Sequence, residues 1–212
     1  MHNCIFTAHC IEGYCDRSCP ILVETSYLLE RNGIPMTSSV FQASDAAVAQ
    51  MLQILERFNQ STGTVIVRST SWDTVKVAEL LTYCAICQNW KGSKLHCTVY
   101  NLKYSKYLDE IRKSWSMKVE PESLEYMRIW TESAKVLVVS NFDYVNFKDY
   151  EAQTLLNLIQ TRMSNGLTTI LVSPDPDQLV SGSHSPFLQT LKTQWMNRNT
   201  IVEFPKGGVS TW

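Results

Sequence analysis

Two short apolar stretches flank an amphipathic helix pattern in the second half of the chain, and they limit the fold more than any other feature. Residues 136–139 are consecutive and apolar, and residues 168–173 form a second strand pattern with an apolar centre. Strands that are buried on both faces of a parallel sheet have this pattern. Between the two runs, residues 150–163 carry apolar side chains at helical spacing, and Asn165 and Gly166 follow as a helix stop. The sequence therefore predicts a βαβ unit.

The same alternation extends through most of the chain of 212 residues. Further strands are predicted at residues 64–68, 95–101 and 200–204. Helices are predicted at residues 20–32, 46–58, 74–88, 102–112, 122–130 and 187–196, with a short one at 175–179. Strands that alternate with helices favour an α/β fold, a doubly wound parallel sheet sandwiched by helices.

Composition narrows the class of protein. Apolar residues make up 44% of the chain, charged residues 18%, and the net charge is −1, which excludes a generally basic nucleic-acid coat but leaves room for a local basic patch. No apolar run approaches the roughly 18 residues that a membrane span needs, and residues 1–4 lack the basic and then apolar layout of a signal peptide. We expect a cytoplasmic protein without a membrane partner.

Four of the seven cysteines fall within the first 19 residues. They are Cys4, Cys10, Cys15 and Cys19. Thiolates at this density can surround a tetrahedral Zn²⁺ at about 2.3 Å per bond, and an iron–sulfur cluster also takes four cysteines. The sequence predicts a zinc site, with the cluster or four independent thiols as alternatives. It also predicts two units, a cysteine-rich segment with its helix at residues 1–35 and the α/β domain at residues 36–212.

The predicted strand at residues 64–68 and the helix at 74–88 are joined by a tight turn, which is the layout of a phosphate-binding loop. Such a loop needs glycines, so that backbone N–H groups can face the phosphates, and a lysine that reaches them. The turn contains no glycine, Asp73 puts a negative charge there, and the nearest cation is Lys76, one turn into the helix. The sequence favours an ordinary βα turn.

A strip of cations and aromatic residues follows this helix. Cations that track a backbone, with aromatic rings that stack on bases, are typical of single-stranded nucleic-acid binding. The alternative is a solvated helix face over buried tyrosines. The candidate contacts are Lys91, Lys94, Lys103, Tyr104, Lys106 and Tyr107.

Two other cysteines, Cys84 and Cys87, lie one turn apart in the helix at 74–88, and their apolar context favours buried small side chains over a redox or metal site.

Residues 15–35, CDRSCPILVETSYLLERNGIP, resemble the cysteine segment and the following "YLL…GIP" of bacterial replicative-helicase loaders, the AAA+ proteins of DnaC and DnaI type, in their phage and mobile-element branch. Residues 95–111 and 149–179 are similar as well, so the resemblance runs nearly end to end. It implies an AAA+ sheet, an N-terminal region that contacts the replicative helicase, and an AAA+ part that contacts DNA and neighbouring loaders.

The chain departs from that family at its nucleotide site. In the family the phosphate loop ends in Gly-Lys-Thr, two carboxylates end the Walker B strand, a polar sensor follows the next strand, and an arginine reaches a neighbour's nucleotide. The positions that match Gly-Lys-Thr here are Trp72, Asp73 and Thr74, so only the threonine persists. Ser140 and Asn141 stand at the two carboxylate positions, Ser173 at the sensor position, and residues 182–193 contain no arginine. A displaced acid at Asp143 is the remaining carboxylate nearby. The resemblance therefore implies a pseudo-ATPase that binds no nucleotide.

Three functions fit these observations. The first is an ATP-independent adaptor or accessory in DNA replication that binds a replicative helicase or an active loader. The second is an inhibitor from a phage or mobile element that mimics a loader and blocks helicase loading. The third is an enzyme, either a divergent ATPase or an unrelated activity at the strand ends.

Overall fold

The computed structural model describes residues 20–35, 37–60, 64–69, 73–91, 94–95, 98–117, 120–141, 148–173 and 200–205. The helices are α1 (Pro20–Arg31), α2 (Asp45–Gln60), α3 (Thr74–Gln88), α4 (Tyr104–Ser114), α5 (Glu122–Ser133) and α6 (Asp149–Ser164), with a 3₁₀ turn at Ser39–Gln42. The strands are β1 (Val65–Ser69), β2 (Trp90–Lys91), β3 (Lys94–Leu95), β4 (Val99–Lys103), β5 (Val136–Ser140), β6 (Thr169–Ser173) and β7 (Thr200–Phe204).

Five strands form one parallel sheet in the order β4-β5-β6-β1-β7. The centre of β1 is paired on both sides, because Val67 lies opposite Val172 of β6 and Val202 of β7. The chain crosses from β1 to the far edge strand β4 and then returns through β5 and β6. The predicted α/β fold with a parallel sheet between helices is thereby confirmed. Strands β2 and β3 form a separate antiparallel hairpin.

Each face of the sheet has its own hydrophobic core. Side chains of a strand alternate between the two faces, so Val136 and Val138 of β5 pack with α1, α2 and α3, while Leu137 and Val139 pack with α4, α5 and α6. The crossover from β1 to β4 uses the first face and the return from β4 to β6 uses the second, as right-handed connections require.

The end of helix α1 lies against β4, which is one of the two edge strands of the sheet. Leu29 of α1 and Ile34, three residues after the end of the helix, belong to the same core as α2 and α3, although the sequence groups α1 with the cysteine segment; the division into two units stays a prediction. At the edge strand β4, the Asn101 backbone N–H donates to Asn32 Oδ1 (2.7 Å), and Asn101 Nδ2 donates to the Asn32 carbonyl (3.3 Å). An edge N–H is thus satisfied within the chain instead of being open to another strand.

Most predicted elements lie where the sequence placed them, and the bounds of α3 and β7 coincide with the predictions. The third predicted strand was wrong at its start. Lys94 and Leu95 belong to the hairpin, the sheet strand β4 begins at Val99, and α4 begins at Tyr104. The polar hairpin interrupts what appeared to be one continuous strand pattern. The helices predicted at residues 175–179 and 187–196 lie outside the described residues.

Within the part of the chain that the structure describes, no helix combines the length and the apolar character needed to cross a membrane.

Candidate functional site

The carboxyl ends of β1, β5 and β6 lie at one edge of the sheet, where an open α/β sheet binds its ligand. Strands β1 and β6 are neighbours in the sheet, and the next strands lie on opposite sides of them, β4 after β1 and β7 after β6. Arg68 and Ser173 are the last residues that pair between β1 and β6. This edge is where the sequence placed the degenerate nucleotide site.

The turn from β1 into α3 is capped by the protein's own carboxylate. Asp73 is the N-cap residue of α3, and its Oδ1 accepts a hydrogen bond from the Lys76 backbone N–H at 3.0 Å. The second carboxylate oxygen lies 3.5 Å from Lys76 Nζ. A helix N-terminus attracts anions through its free N–H groups and its dipole. Here the Asp73 carboxylate is already the anion at the helix N-terminus. A phosphate would therefore have to displace this carboxylate or approach its negative charge.

The end of β5 offers no charge for a metal ion. Ser140 is buried, and the exposed Asn141 has a positive φ of 59°. The Asn141 side chain is held by α4: its Nδ2 donates to Ser105 Oγ at 2.7 Å, while the Ser105 backbone N–H donates to the Asn141 carbonyl at 3.3 Å. An amide and a hydroxyl are neutral ligands, and Mg²⁺ sites are built around carboxylates and phosphates. Asp143 lies outside the described residues.

Ser140 and Ser173 both have buried hydroxyls, and neither Oγ has a hydrogen-bond partner among the described residues. Strand alternation puts them on opposite faces of the sheet, since Ser140 follows Val138 on the α3 side and Ser173 follows Leu171 on the α6 side. The two hydroxyls therefore do not converge on a single ligand atom.

The predicted basic and aromatic strip is dispersed by the fold. Tyr104 is fully buried and donates its hydroxyl to the Glu151 carbonyl at 2.5 Å; burial raises its pKa. Tyr107 is also buried, which raises its pKa against the opposing effect of a hydrogen bond from Arg128. This burial favours the alternative of buried tyrosines, and contact of Tyr104 and Tyr107 with single-stranded DNA stays a prediction.

Lys103 is also engaged within the chain. Its Nζ lies 3.2 Å from Glu79 Oε1 on α3, and Glu79 Oε2 accepts a hydrogen bond from Ser38 Oγ at 3.2 Å. Lys106 is exposed on α4. Lys91 and Lys94 lie in the β2–β3 hairpin, but their side chains lie outside the described part of the structure, so their contact with DNA stays a prediction.

Sequence reasoning missed the Glu79–Lys103 ion pair. The available sign was a carboxylate within an otherwise apolar helix pattern, because Glu79 stands between Ala78 and Leu80 and is buried with them. A carboxylate at such a position requires a cation or several donors. Its partner could not be identified from local spacing, since Lys103 lies on a strand reached through the crossover.

The four cysteines of the predicted metal site, Cys4, Cys10, Cys15 and Cys19, lie outside the described residues. Within the described ranges, no three histidine, cysteine or acidic side chains are placed to hold a metal ion. Cys84 is buried and Cys87 is half-buried, and burial raises the pKa of the Cys84 thiol to about 12. A thiol with that pKa is inert at neutral pH, which agrees with the predicted structural role of Cys84.

No protein-family model and no curated protein matches the chain. Solved structures do match its fold. Replication initiator DnaA bound to AMPPCP and single-stranded DNA is 12% identical, with a TM-score of 0.50 over 76% of this chain and 46% of that chain. AMPPCP-bound DnaA from Aquifex aeolicus is 11% identical, with a TM-score of 0.52 over 76% of this chain and 47% of that chain.

A crystal structure of DnaI is 14% identical, with a TM-score of 0.49 over 84% of this chain and 89% of that chain. This chain spans about half the length of the DnaA chains it matches. At these identities the likeness establishes the fold, which is that of the DnaA replication initiators.

Proposed function

We propose that this chain is a replication accessory protein that keeps an initiator and loader fold without using nucleotide, and that it acts as an ATP-independent adaptor on a replicative helicase or an active loader. The observation that carries the proposal is the capped turn between β1 and α3, where the Asp73 carboxylate accepts the Lys76 backbone N–H at 3.0 Å. The DnaA structures with this fold are bound to AMPPCP. This chain has the fold but fills the phosphate position with its own anion.

Electrostatics supports the absence of nucleotide binding. A phosphate charge at about 4 Å from the Asp73 carboxylate would meet a repulsion of about 4 kcal/mol at an effective dielectric constant of about 20. Mg²⁺ normally offsets such repulsion, but the neutral side chains of Ser140 and Asn141 stand where the metal carboxylates are expected. Both the anchor for the phosphates and the anchor for the metal are therefore replaced.

Isothermal titration calorimetry with ATP and Mg²⁺ tests the nucleotide part of the proposal. We expect no binding heat from the full chain, and DnaA titrated in the same buffer serves as the positive control. Binding at micromolar strength or tighter would overturn the proposal and would direct attention to Lys76 and Asp143 as parts of a rearranged site.

A reconstituted helicase-loading reaction tests the adaptor part. The chain is added to a replicative helicase, its loader and single-stranded DNA, with and without an Asp73→Asn variant as a control for effects of the capped turn. Stimulated loading by both proteins supports an adaptor. A dose-dependent block would replace it with the inhibitor that the sequence leaves open, and no effect on loading would remove both.

We also propose that Cys4, Cys10, Cys15 and Cys19 bind zinc. The density of thiols supports this, since four thiolates complete a closed tetrahedral zinc site. We expect about one zinc per chain by plasma mass spectrometry, and its loss in a Cys15→Ser, Cys19→Ser double variant but not in a Cys87→Ser control. Iron and sulfide with visible absorption would instead identify a cluster, and a metal-free wild-type chain would contradict both.

A further inference from the structure

The surface formed by α1 and α5 exposes several large apolar side chains. Tyr27 on α1 is 67% exposed, and Tyr126 and Ile129 on α5 are 44% and 56% exposed. Arg31 and Trp130 join the two helices between them. We call these five residues, Tyr27, Arg31, Tyr126, Ile129 and Trp130, the α1–α5 surface. None of them belongs to the nucleotide-site edge described above.

The aromatic part of this surface is held in place. The Arg31 guanidinium carbon lies 4.0 Å above the centre of the Trp130 ring, and the Tyr126 ring lies 6.0 Å from it. The Trp130 ring also stacks on Tyr100 of the edge strand, with 6.5 Å between the ring centres. Tyr100 is itself buried, and this burial raises its pKa to about 12. Rings that are ordered before binding lose little conformational freedom on binding.

The composition is that of a protein contact. Trp, Tyr and Arg are the residues that most often carry the binding energy of protein interfaces. On α5, Tyr126, Ile129 and Trp130 follow one another at intervals of three and one residues, so they share one side of the helix. The α1–α5 surface therefore presents an apolar stripe that a second helix can contact along its length.

The stripe has an acidic border that selects the partner's charge. Glu125 and Glu132 lie four residues before and three residues after Ile129, and Glu122 lies four before Tyr126, so each is a helical neighbour of the stripe. All three are exposed, and none forms a salt bridge with a described residue. The nearby Arg128 is already paired with Glu120 at 2.6 Å. Exposed acids that form no salt bridge with a described residue disfavour DNA and anionic lipid, and they favour a basic protein segment.

A second copy of the chain is a poorer match. In the described part of the chain, the end of α4 is an exposed site that combines an apolar residue, Trp115, with two basic residues, Arg112 and Lys113. We therefore compare this site with the acidic border. Those cations are occupied: Arg112 pairs with Asp109 at 2.7 Å and also with Glu151, and Lys113 pairs with Glu110 at 2.6 Å. The end of α4 thus offers no unpaired basic stripe to complement the acidic border.

We infer that the α1–α5 surface is a docking site for a helical segment of another protein whose apolar seam is flanked by lysines or arginines. This inference does not depend on the absence of nucleotide binding. Where the chain acts as an adaptor, it specifies the chemistry of the partner.

Two matched helical peptides of about 16 residues test the inference, each with the same leucine seam, one flanked by lysines and the other by glutamates. Binding to the full chain is measured by fluorescence anisotropy at low and at physiological salt. We expect the lysine peptide to bind and the glutamate peptide to bind at least about tenfold more weakly, because the border is acidic. Added salt should reduce the difference.

Variants locate the binding. Ile129→Glu should weaken the lysine peptide about tenfold or more, while Met117→Glu, which changes an equally exposed apolar residue after α4, should not. A Glu125→Lys, Glu132→Lys double variant should reverse the peptide preference, and Glu56→Lys on α2 is its control. Circular dichroism confirms that each variant is folded. Equal binding of both peptides, no binding of either, or unchanged binding by the variants would overturn the inference.

Sedimentation of the free chain tests whether a second copy of the chain occupies the α1–α5 surface. A monomer that binds the lysine peptide agrees with the inference. A dimer that Ile129→Glu converts to a monomer would show that a second copy covers the surface, and would overturn the assignment to a foreign partner.

Discussion

Arg162 is the largest fully buried side chain in the described structure. It has no carboxylate partner there; instead its three donor nitrogens reach the Thr131 carbonyl (2.6 Å), the Thr168 carbonyl (2.7 Å) and Thr169 Oγ1 (2.9 Å). Burial lowers its pKa to about 10, so the guanidinium is still charged at neutral pH. One side chain therefore connects the ends of α5 and α6 with the start of β6.

Arg162→Ala is expected to lower the free energy of unfolding by about 3 kcal/mol or more, since it leaves buried acceptors without donors and opens a cavity. Arg162→Lys should cost nearly as much, because an ammonium cannot reproduce the planar fork of donors. Urea denaturation measures both, and Arg57→Ala on the exposed side of α2 is the control. Equal costs for Arg162→Ala and Arg57→Ala would show that the buried network contributes nothing.

At the scale of single elements, the residues at helix ends determine where several helices begin or end. Helices α1 and α6 both end on a glycine with positive φ, Gly33 at 70° and Gly166 at 69°. In each case the next residue's N–H donates to the carbonyl five positions back, Ile34 to Leu29 (2.9 Å) and Leu167 to Arg162 (2.8 Å). This is the Schellman motif, which favours glycine because of the left-handed backbone. The start of α3 is specified as clearly by its Asp73 cap.

Asp73→Ala is expected to lower the free energy of unfolding by about 1 kcal/mol, because the Lys76 backbone N–H loses its acceptor. Asp73→Asn keeps an oxygen at the same place and should cost no more than a few tenths of that value. Thermal unfolding compares the two with the wild-type chain. Similar destabilisation by both substitutions would mean that the negative charge, and not the hydrogen bond, stabilises the turn.

For the whole molecule, the dominant feature is one sheet that serves two cores. Leu81 of α3 lies in the core on one face and Leu155 of α6 in the core on the other, and the same strands separate them. Neither core can lose its packing without exposing the sheet on which the other packs. Unfolding of this part of the chain should therefore be cooperative across both faces.

Leu81→Ala and Leu155→Ala should each cost about 3 kcal/mol, as expected for large buried side chains cut to alanine. Each should shift a single urea transition that is the same by far-UV circular dichroism and by tryptophan fluorescence. Two separate transitions, with each substitution moving only one of them, would contradict a shared folding unit.

The features that the sequence predicted correctly depend on interactions between residues close in the chain. The features that it did not predict depend on contacts between distant residues. Helix α3 and strand β7 could be bounded from the sequence because caps, helical spacing and apolar runs are local. The start of β4 was predicted too early, because Leu95 of the β2–β3 hairpin and the residues of β4 together resemble one longer strand. The absence of glycine in the turn and the neutral Ser140 and Asn141 at the end of β5 were also visible directly, because these are statements about residue identity.

The residues alone predicted the class of fold and most of its elements, and they show that the turn between β1 and α3 contains neither glycine nor lysine. The tertiary structure was needed for the strand order, the burial of Tyr104 and Tyr107, the pairing of Lys103 with Glu79 and the contact of α1 with α5 through Arg31 and Trp130. The physical reason is that periodicity records which side of an element is apolar. It does not record which distant element covers that side, and that choice determines which surface is left for a partner.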